Sequence, residues 1–164
     1  MSDEPEFRSG FVSLVGRPNA GKSTLLNRIL GEKVAIVSNK PQTTRSQIRG
    51  VLHRPGVQVV FVDTPGIHKP VSPLGTSLNE SATSTIGDAD VTCLVIDALA
   101  PYGRGDAFIA EKLPEDAIVV INKIDRASVE QVLSQLAATA ELGLEAYFPV
   151  SAQTGEGVDA LVDH

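Results

Sequence analysis

The chain has 164 residues, of which 42% are hydrophobic and 21% are charged, and its formal net charge at pH 7 is −6. This length supports one compact α/β domain with a substantial core and excludes two domains of ordinary size. The negative charge excludes binding to nucleic acid or to an anionic membrane through the surface as a whole, so any such contact has to be local.

The amino-terminal residues 1–10 are acidic and polar, and they lack the basic flank and apolar stretch of a secretory signal. We expect them to form a flexible tail before a folded domain at 11–164. No apolar run reaches the length of a membrane span, which favours a soluble cytoplasmic protein. The single cysteine, Cys93, lies in the apolar run VTCLVID and is expected to be a buried hydrophobic side chain.

Short apolar runs predict six β-strands, and most of them are separated by segments with helical patterning. The strands are predicted at 11–15, 48–52, 57–63, 91–97, 117–122 and 146–150. The helices are predicted near 23–30, 76–87, 105–113, 128–142 and 157–164. A turn at 54–56 joins the second and third strands directly. This alternation predicts an α/β fold of three layers, with a six-stranded, mostly parallel sheet, one antiparallel edge strand and helices on both faces.

Two segments between these elements, 31–46 and 64–75, are long and lack clear periodicity. Loops of this length are commonly functional, and we regard both as candidate switches. The strands at 91–97 and 117–122 are almost continuously apolar, which is typical of central strands covered on both faces. Ligand-binding loops are therefore expected at the carboxyl ends of these strands.

The stretch GRPNAGKS at 16–23 matches the pattern G-x-x-x-x-G-K-[ST] between a predicted strand and a predicted helix. In such a loop the backbone N–H groups face inward and surround phosphate, while Lys22 reaches the β and γ phosphates and the Ser23 hydroxyl binds Mg²⁺. The competing interpretation, a glycine-rich turn with a solvated lysine, is disfavoured by this context. The sequence predicts a nucleoside triphosphate site that includes Asn19, Ala20, Gly21, Lys22, Ser23 and Thr24.

The stretch DTPG at 63–66 ends a predicted strand. Asp63 is expected to reach Mg²⁺ through water, and the Gly66 N–H is expected to meet the γ-phosphate. Taken alone this pattern is weak, because a strand that ends in Asp and a Pro-Gly turn needs no ligand. Thr44 is a candidate for a second hydroxyl on Mg²⁺ once the triphosphate binds, and Thr43 is its rival.

The stretch NKID at 122–125 follows a central strand and suggests the choice of base. A carboxylate at Asp125 accepts hydrogen bonds from N1–H and the 2-amino group of guanine, whereas adenine has an acceptor at N1 and no 2-amino group. Asn122 and Lys123 complete this motif. The competing interpretation is that Asp125 caps the helix that begins near Ser128.

The stretch SAQTG at 151–155 follows the last predicted strand. A backbone N–H near Ala152 is expected to meet O6 of guanine, with Ser151 beside it. This signal is weak by itself, because serine and glycine are common loop residues.

The motifs GRPNAGKST, DTPG, NKID and SA occur in this order and resemble the GTPase domain of the translation-factor-related class. The combination of NKPQTTR at 39–45 with DTPGIHKP at 63–70 is most similar to the Era family of bacterial ribosome-assembly GTPases, from about Phe11 onward. The EngA and MnmE families remain alternatives. The resemblance implies a P-loop NTPase fold of the small G-domain type, GTP or GDP and Mg²⁺ as ligands, and GTP hydrolysis as the activity.

Members of the Era family carry a KH domain after the GTPase domain, and this KH domain binds the 3′ end of the small-subunit ribosomal RNA. These 164 residues contain no such domain. Either the sequence is part of a longer protein, or this molecule lacks the usual RNA-binding domain. The resemblance implies small-subunit maturation as the role and 16S rRNA as the partner, a monomer, and peripheral contact with the inner face of the cell membrane as a further expectation.

The resemblance also bears on hydrolysis, for which it assigns catalytic roles to Asn19, Lys22, Thr44 and Gly66. Many switch GTPases place Gln after D-x-x-G to orient the attacking water, but this chain has Ile67, so we expect slow intrinsic turnover. Asn19 occupies the position at which potassium-stimulated relatives hold K⁺. The competing interpretation is that Asn19 only shapes the turn.

The segment from Arg28 to Arg54 is locally basic, with a charge of +5 from six basic residues and one acidic residue, Glu32. One interpretation is a nucleotide-dependent contact with ribosomal RNA or with the missing domain, and the other is a solvated basic loop and strand. The basic residues are Arg28, Lys33, Lys40, Arg45, Arg49 and Arg54.

Two further functions remain open besides a GTPase switch. A nucleotide-kinase type of phosphotransferase shares the phosphate loop, although NKID argues against it. A module that binds GTP without hydrolysing it is also consistent with Ile67.

Overall fold

The computed structural model describes residues 6–31, 47–63, 89–144 and 146–164. For Gln47 and Asp63 it describes the backbone only. Several predictions fall outside the described residues: the predicted helix at 76–87, the candidate switches apart from Gly31, and the roles assigned to Thr43, Thr44, Gly66 and Ile67.

The described chain forms six strands and four helices. The strands are β1 (Arg8–Val15), β2 (Gln47–Arg54), β3 (Val57–Asp63), β4 (Val91–Asp97), β5 (Ile118–Asn122) and β6 (Ala146–Pro149). The helices are α1 (Lys22–Leu30), α2 (Arg104–Ala110), α3 (Val129–Ala140) and α4 (Val158–Asp163). In this part of the chain, no helix has the length and apolar character needed to cross a bilayer.

The sheet confirms the predicted architecture. Its strand order is β2-β3-β1-β4-β5-β6. Every neighbouring pair is parallel except β2 and β3, which are antiparallel, and β2 lies at the edge. The carboxyl ends of β1, β3, β4, β5 and β6 therefore meet at one edge of the sheet, where ligand loops are expected.

The first strand is longer than predicted. It begins at Arg8 instead of Phe11, and Arg8, Ser9 and Gly10 pair with Val57, Gln58 and Val59 of β3. Residues 8–10 therefore belong to the sheet and not to the expected tail. The polar composition of this segment suggested a tail, but backbone pairing with a neighbouring strand does not depend on side-chain polarity.

The two faces of the central strands carry separate apolar clusters, because side chains alternate along a strand. On one face, Cys93, Val95, Ile118 and Val120 pack with residues of α1 and α4. On the other face, Leu94, Ile96, Val119 and Ile121 pack with residues of α2 and α3. Helices thus cover both faces of the sheet, as the continuous apolar runs predicted.

Cys93 is buried within the first of these clusters, which confirms the expectation of a hydrophobic role. Burial raises the pKa of the Cys93 thiol to about 12, because the apolar surroundings disfavour the thiolate. The thiol therefore remains protonated and unreactive near neutral pH.

Candidate guanine-nucleotide site

The phosphate loop runs from Gly16, after β1, to Gly21, before α1. Both glycines are required by close packing as well as by the turn. A Cβ at Gly16 would collide with the carbonyl oxygen of Val95, and a Cβ at Gly21 would collide with the side-chain amide of Asn122. Gly21 also has φ 99°, in the left-handed region that favours glycine. The loop backbone can therefore approach both β4 and β5.

Lys22 is the first residue of α1, and its side chain turns back over the loop. Its Nζ donates to the carbonyl oxygen of Gly16 at 2.7 Å and to that of Arg17 at 3.0 Å. Ser23 and Thr24 are exposed in the same helical turn. No side chain caps the amino terminus of α1. The geometry thus combines an ammonium group, exposed hydroxyls and a helix amino terminus, all of which suit phosphate and its counter-ion.

Asp63 is the last residue of β3 and pairs in register with Leu14 of β1. Its backbone therefore lies at the same edge of the sheet as the phosphate loop. This placement is consistent with the predicted magnesium role of Asp63, which stays a prediction.

Asn122 joins the phosphate loop to the loop after β6. Its Nδ2 donates to the carbonyl oxygen of Ala20 at 3.0 Å, and its Oδ1 accepts the backbone N–H of Ala152 at 2.9 Å. The side chain is only 2% exposed, so both polar atoms need these partners. A single amide thereby fixes the distance between the two loops.

The Lys123 side chain contacts the phosphate loop. It has φ 72°, and its Nζ donates to the carbonyl oxygen of Asn19 and to Oδ2 of Asp97, each at 2.8 Å. Asp97 ends β4, and its Oδ1 accepts the N–H of Leu99 at 2.8 Å. Asp97 was not among the residues predicted from the sequence, although an acidic residue at the carboxyl end of a central strand was the available signal.

Asp125 is exposed, and its Oδ1 accepts a hydrogen bond from the Ser151 hydroxyl at 2.9 Å. It does not cap the following helix, so that competing interpretation is wrong. The cap of α3 is Ser128, whose Oγ accepts the N–H of Gln131 while the Gln131 side chain accepts the N–H of Ser128. Asp125 is therefore available to a ligand.

The segment 151–155, named the base loop, has hydrogen-bond acceptors for most of its backbone N–H groups. The N–H of Ala152 donates to Asn122 Oδ1, so it already has an acceptor within the protein. The N–H groups of Ser151, Thr154 and Gly155 also have acceptors. Among the described hydrogen bonds of this loop, the N–H of Gln153 has no acceptor, so it is the candidate donor to O6. It lies next to Ala152, where that donor was predicted.

Two arginines contact the site in ways that the sequence did not reveal. The Arg17 guanidinium lies 3.4 Å from Oδ2 of buried Asp106, which also accepts the N–H of Gly103 at 3.0 Å. This pair ties the phosphate loop to the start of α2. Arg28 of α1 donates to backbone carbonyls of the base loop. Both contacts join residues far apart in the chain, which no local pattern predicts.

The locally basic segment is only partly available as a surface. Arg28 is directed at the base loop, and Arg54 forms an ion pair with Asp163 at 2.7 Å. Lys33, Lys40 and Arg45 lie outside the described residues. Among the described residues of this segment, Arg49 and Arg54 of β2 are those through which the proposed contact with RNA can be tested.

The chain is similar to known GTPases. The family model described as 50S ribosome-binding GTPase matches residues 11–123. GTPase Era of Mycobacterium sp. strain JLS is 49% identical over 165 residues, which cover 96% of this chain and 55% of that protein. GTPase Era of Corynebacterium diphtheriae is 46% identical and is matched over 56% of its length. The chain thus spans about half the length of the curated relatives it matches.

Solved structures give the same result. An Era protein in complex with MgGDPNP and nucleotides 1506–1542 of 16S ribosomal RNA has a TM-score of 0.80 and 39% identity, over 96% of this chain and 56% of that chain. A variant of Aquifex aeolicus Era bound to GDP·AlF4⁻ has a TM-score of 0.77 and 39% identity, over 95% and 55%. These matches confirm the P-loop GTPase fold and the predicted resemblance to the Era family.

The bridging amide of Asn122 leads to a test of its structural role. We expect Asn122→Ala to lower the free energy of unfolding by about 2–4 kcal/mol, because each buried polar group left without a partner costs about 1–3 kcal/mol. Urea denaturation without nucleotide measures this loss. Asn27→Ala, at an exposed position on α1, is the control and should change stability by less than about 0.5 kcal/mol. Equal effects of the two substitutions would contradict the bridging role.

Proposed function

This chain belongs to the family described as 50S ribosome-binding GTPase, and on that premise we propose that it is a guanine-nucleotide switch that hydrolyses GTP and acts in small-subunit maturation. The observation that supports this proposal best is the Asn122 bridge, which holds the phosphate loop and the base loop in one site. A phosphate cradle after β1 and a carboxylate for guanine after β5 thus lie at the same edge of the sheet, separated only by β4.

The site residues divide into three groups by chemistry. The phosphates are bound by Asn19, Ala20, Gly21, Lys22, Ser23 and Thr24. The base and the loops around it are held by Asn122, Lys123, Asp125, Ser151 and Ala152. Ser23 and Thr44 would supply oxygen ligands, which Mg²⁺ prefers, and Asp63 would reach the ion through water. When bound, Mg²⁺ offsets the negative charge of the phosphates. The charge that develops during hydrolysis is proposed to be stabilised by Asn19, Lys22, Thr44 and Gly66.

The proposed ribosomal partner is the small subunit and its 16S rRNA. An Era protein of this fold has been solved with a fragment of 16S rRNA, whereas the broader family description refers to the 50S subunit. The specific relative is the more informative guide, because it is 39% identical over almost all of this chain. We also propose a cytoplasmic monomer with peripheral contact to the membrane, and RNA binding mainly through a KH domain beyond these residues.

A GTP-binding module without hydrolysis is the main alternative, since Ile67 lacks the polar group that orients water in many GTPases. Phosphate release in a single turnover separates the two functions, because a simple binding module releases none. A phosphotransferase would instead transfer phosphate to an acceptor nucleotide.

Base selection is tested by Asp125→Asn. The wild-type chain should prefer GTP to ATP in the presence of Mg²⁺, and the variant should bind GTP about 10- to 100-fold more weakly, since hydrogen bonds to charged groups contribute about 1.5–3 kcal/mol. The variant should gain affinity for xanthosine nucleotides, because the Ser151 hydroxyl can hold the amide oxygen and leave the NH₂ group for the xanthine 2-carbonyl. Calorimetry measures these affinities. An unchanged preference for GTP would remove Asp125 from the base site.

The dependence on K⁺ is tested through Asn19, which has φ 67° and is exposed at the loop. We expect faster GTP hydrolysis in KCl than in NaCl at equal ionic strength. Asn19→Gly should abolish this difference, because glycine keeps the left-handed backbone but lacks the oxygen ligand. If the wild type hydrolyses GTP equally in both salts, the K⁺ role is wrong. If Asn19→Gly retains the stimulation, the side chain only shapes the turn.

Ribosomal association is tested by sedimentation with separated 30S and 50S subunits in GDPNP and in GDP. We expect association with 30S subunits that is stronger in GDPNP, and a loss when Arg49 or Arg54 is changed to Glu. Arg104→Glu, which makes the same charge change at an exposed position of α2, should bind like the wild type. Preferential association with 50S subunits would favour the broader family description. Binding unaffected by the β2 substitutions would reject this basic surface.

A further inference from the structure

Arg28 lies in the last turn of α1, and Lys22 and Ser23 lie in the first. Its Nε donates to the carbonyl oxygen of Ala152 at 2.9 Å, and its Nη2 donates to the carbonyl oxygen of Gln153. Its side chain also passes Gly155, where an added Cβ would lie 3.6 Å from Arg28 Cδ. One guanidinium group therefore holds two successive carbonyl groups of the base loop.

The first of these contacts orients the peptide group between Ala152 and Gln153. In a trans peptide the C=O and N–H bonds point in opposite directions. Because the Ala152 carbonyl faces Arg28, the Gln153 N–H faces away from α1. This N–H is the candidate donor to O6, so Arg28 sets its direction.

The second contact orients the peptide group between Gln153 and Thr154. Its carbonyl accepts from Arg28, and its N–H donates to Ser151 Oγ at 3.1 Å. The Ser151 hydroxyl then donates to Asp125 Oδ1 at 2.9 Å. A continuous series of hydrogen bonds therefore connects Arg28 to the carboxylate that is proposed to recognise guanine.

We propose that Arg28 is a positioning residue for guanine selection, acting through the backbone of the base loop without touching the nucleotide. This inference rests on the proposed function. A guanidinium suits the task, because its rigid fork of donors can hold two acceptors at once. A purely structural alternative is that Arg28 only joins α1 to the base loop and complements the negative end of the helix dipole.

The two roles differ in their effect on nucleotides that lack particular guanine groups. The diphosphates of guanosine, inosine and 2-aminopurine riboside are compared by calorimetry, since inosine lacks only the 2-amino group, whereas 2-aminopurine lacks O6 together with the N1–H that Asp125 accepts. In Arg28→Ala, the preference for GDP over the 2-aminopurine nucleotide should fall on the order of fivefold, the size expected for one weakened hydrogen bond. The preference for GDP over the inosine nucleotide should fall less, because Arg28 affects Asp125 only indirectly, through the hydrogen bonds of the Ser151 hydroxyl.

Two variants serve as comparisons. Asn27→Ala, at the neighbouring exposed position of α1, should leave both preferences unchanged. Arg28→Lys should give intermediate preferences, because a single ammonium group cannot reproduce the two-carbonyl contact. If Arg28→Ala weakens all three nucleotides by the same factor, the positioning role is wrong. If the wild type itself does not prefer GDP to ADP, the proposed function fails instead.

Discussion

The site depends on one buried side chain at the end of a central strand. The NH₂ group of Asn122 donates to a backbone carbonyl of the phosphate loop, and its side-chain oxygen accepts a backbone N–H of the base loop. These partners lie 102 and 30 residues away in the chain. A buried amide whose donor and acceptor must both be paired leaves little freedom to either loop. The spacing between the phosphate loop and the base loop is therefore set by the end of β5.

Close backbone packing strengthens this arrangement. Gly16 approaches Val95 of β4, and Gly21 approaches Asn122 of β5, so that neither position leaves space for a Cβ. The glycines of the motif thus serve two purposes. They permit the loop conformation that surrounds phosphate, and they let that loop lie directly against the carboxyl edge of the sheet.

Charged side chains hold the same loops from outside. Lys123 joins Asn19 to Asp97, Arg17 joins the phosphate loop to Asp106, and Arg28 joins α1 to the base loop. Several of these groups are partly exposed, so each contact contributes little to overall stability. Their main effect is to orient polar groups, because each of them fixes the orientation of a carbonyl or carboxylate beside the candidate nucleotide site. Under the proposed function, recognition of guanine then depends on residues that do not touch the base.

The sequence by itself determined the strand count, the antiparallel edge, the buried Cys93 and the phosphate loop, because each depends on local periodicity or on a short pattern of residues. The expected tail at residues 8–10 was wrong, because pairing with β3 outweighs polar composition, and the interpretation of Asp125 as the cap of α3 was wrong, because Ser128 is the cap. Only the tertiary structure showed that the Ala152 N–H already donates to Asn122, which leaves the Gln153 N–H as the candidate donor. Only the tertiary structure identified the partners of Asp97, Arg17 and Arg28. Those contacts join segments that are distant in the chain, and the direction of a peptide group is fixed only when the folded sheet brings its partners together.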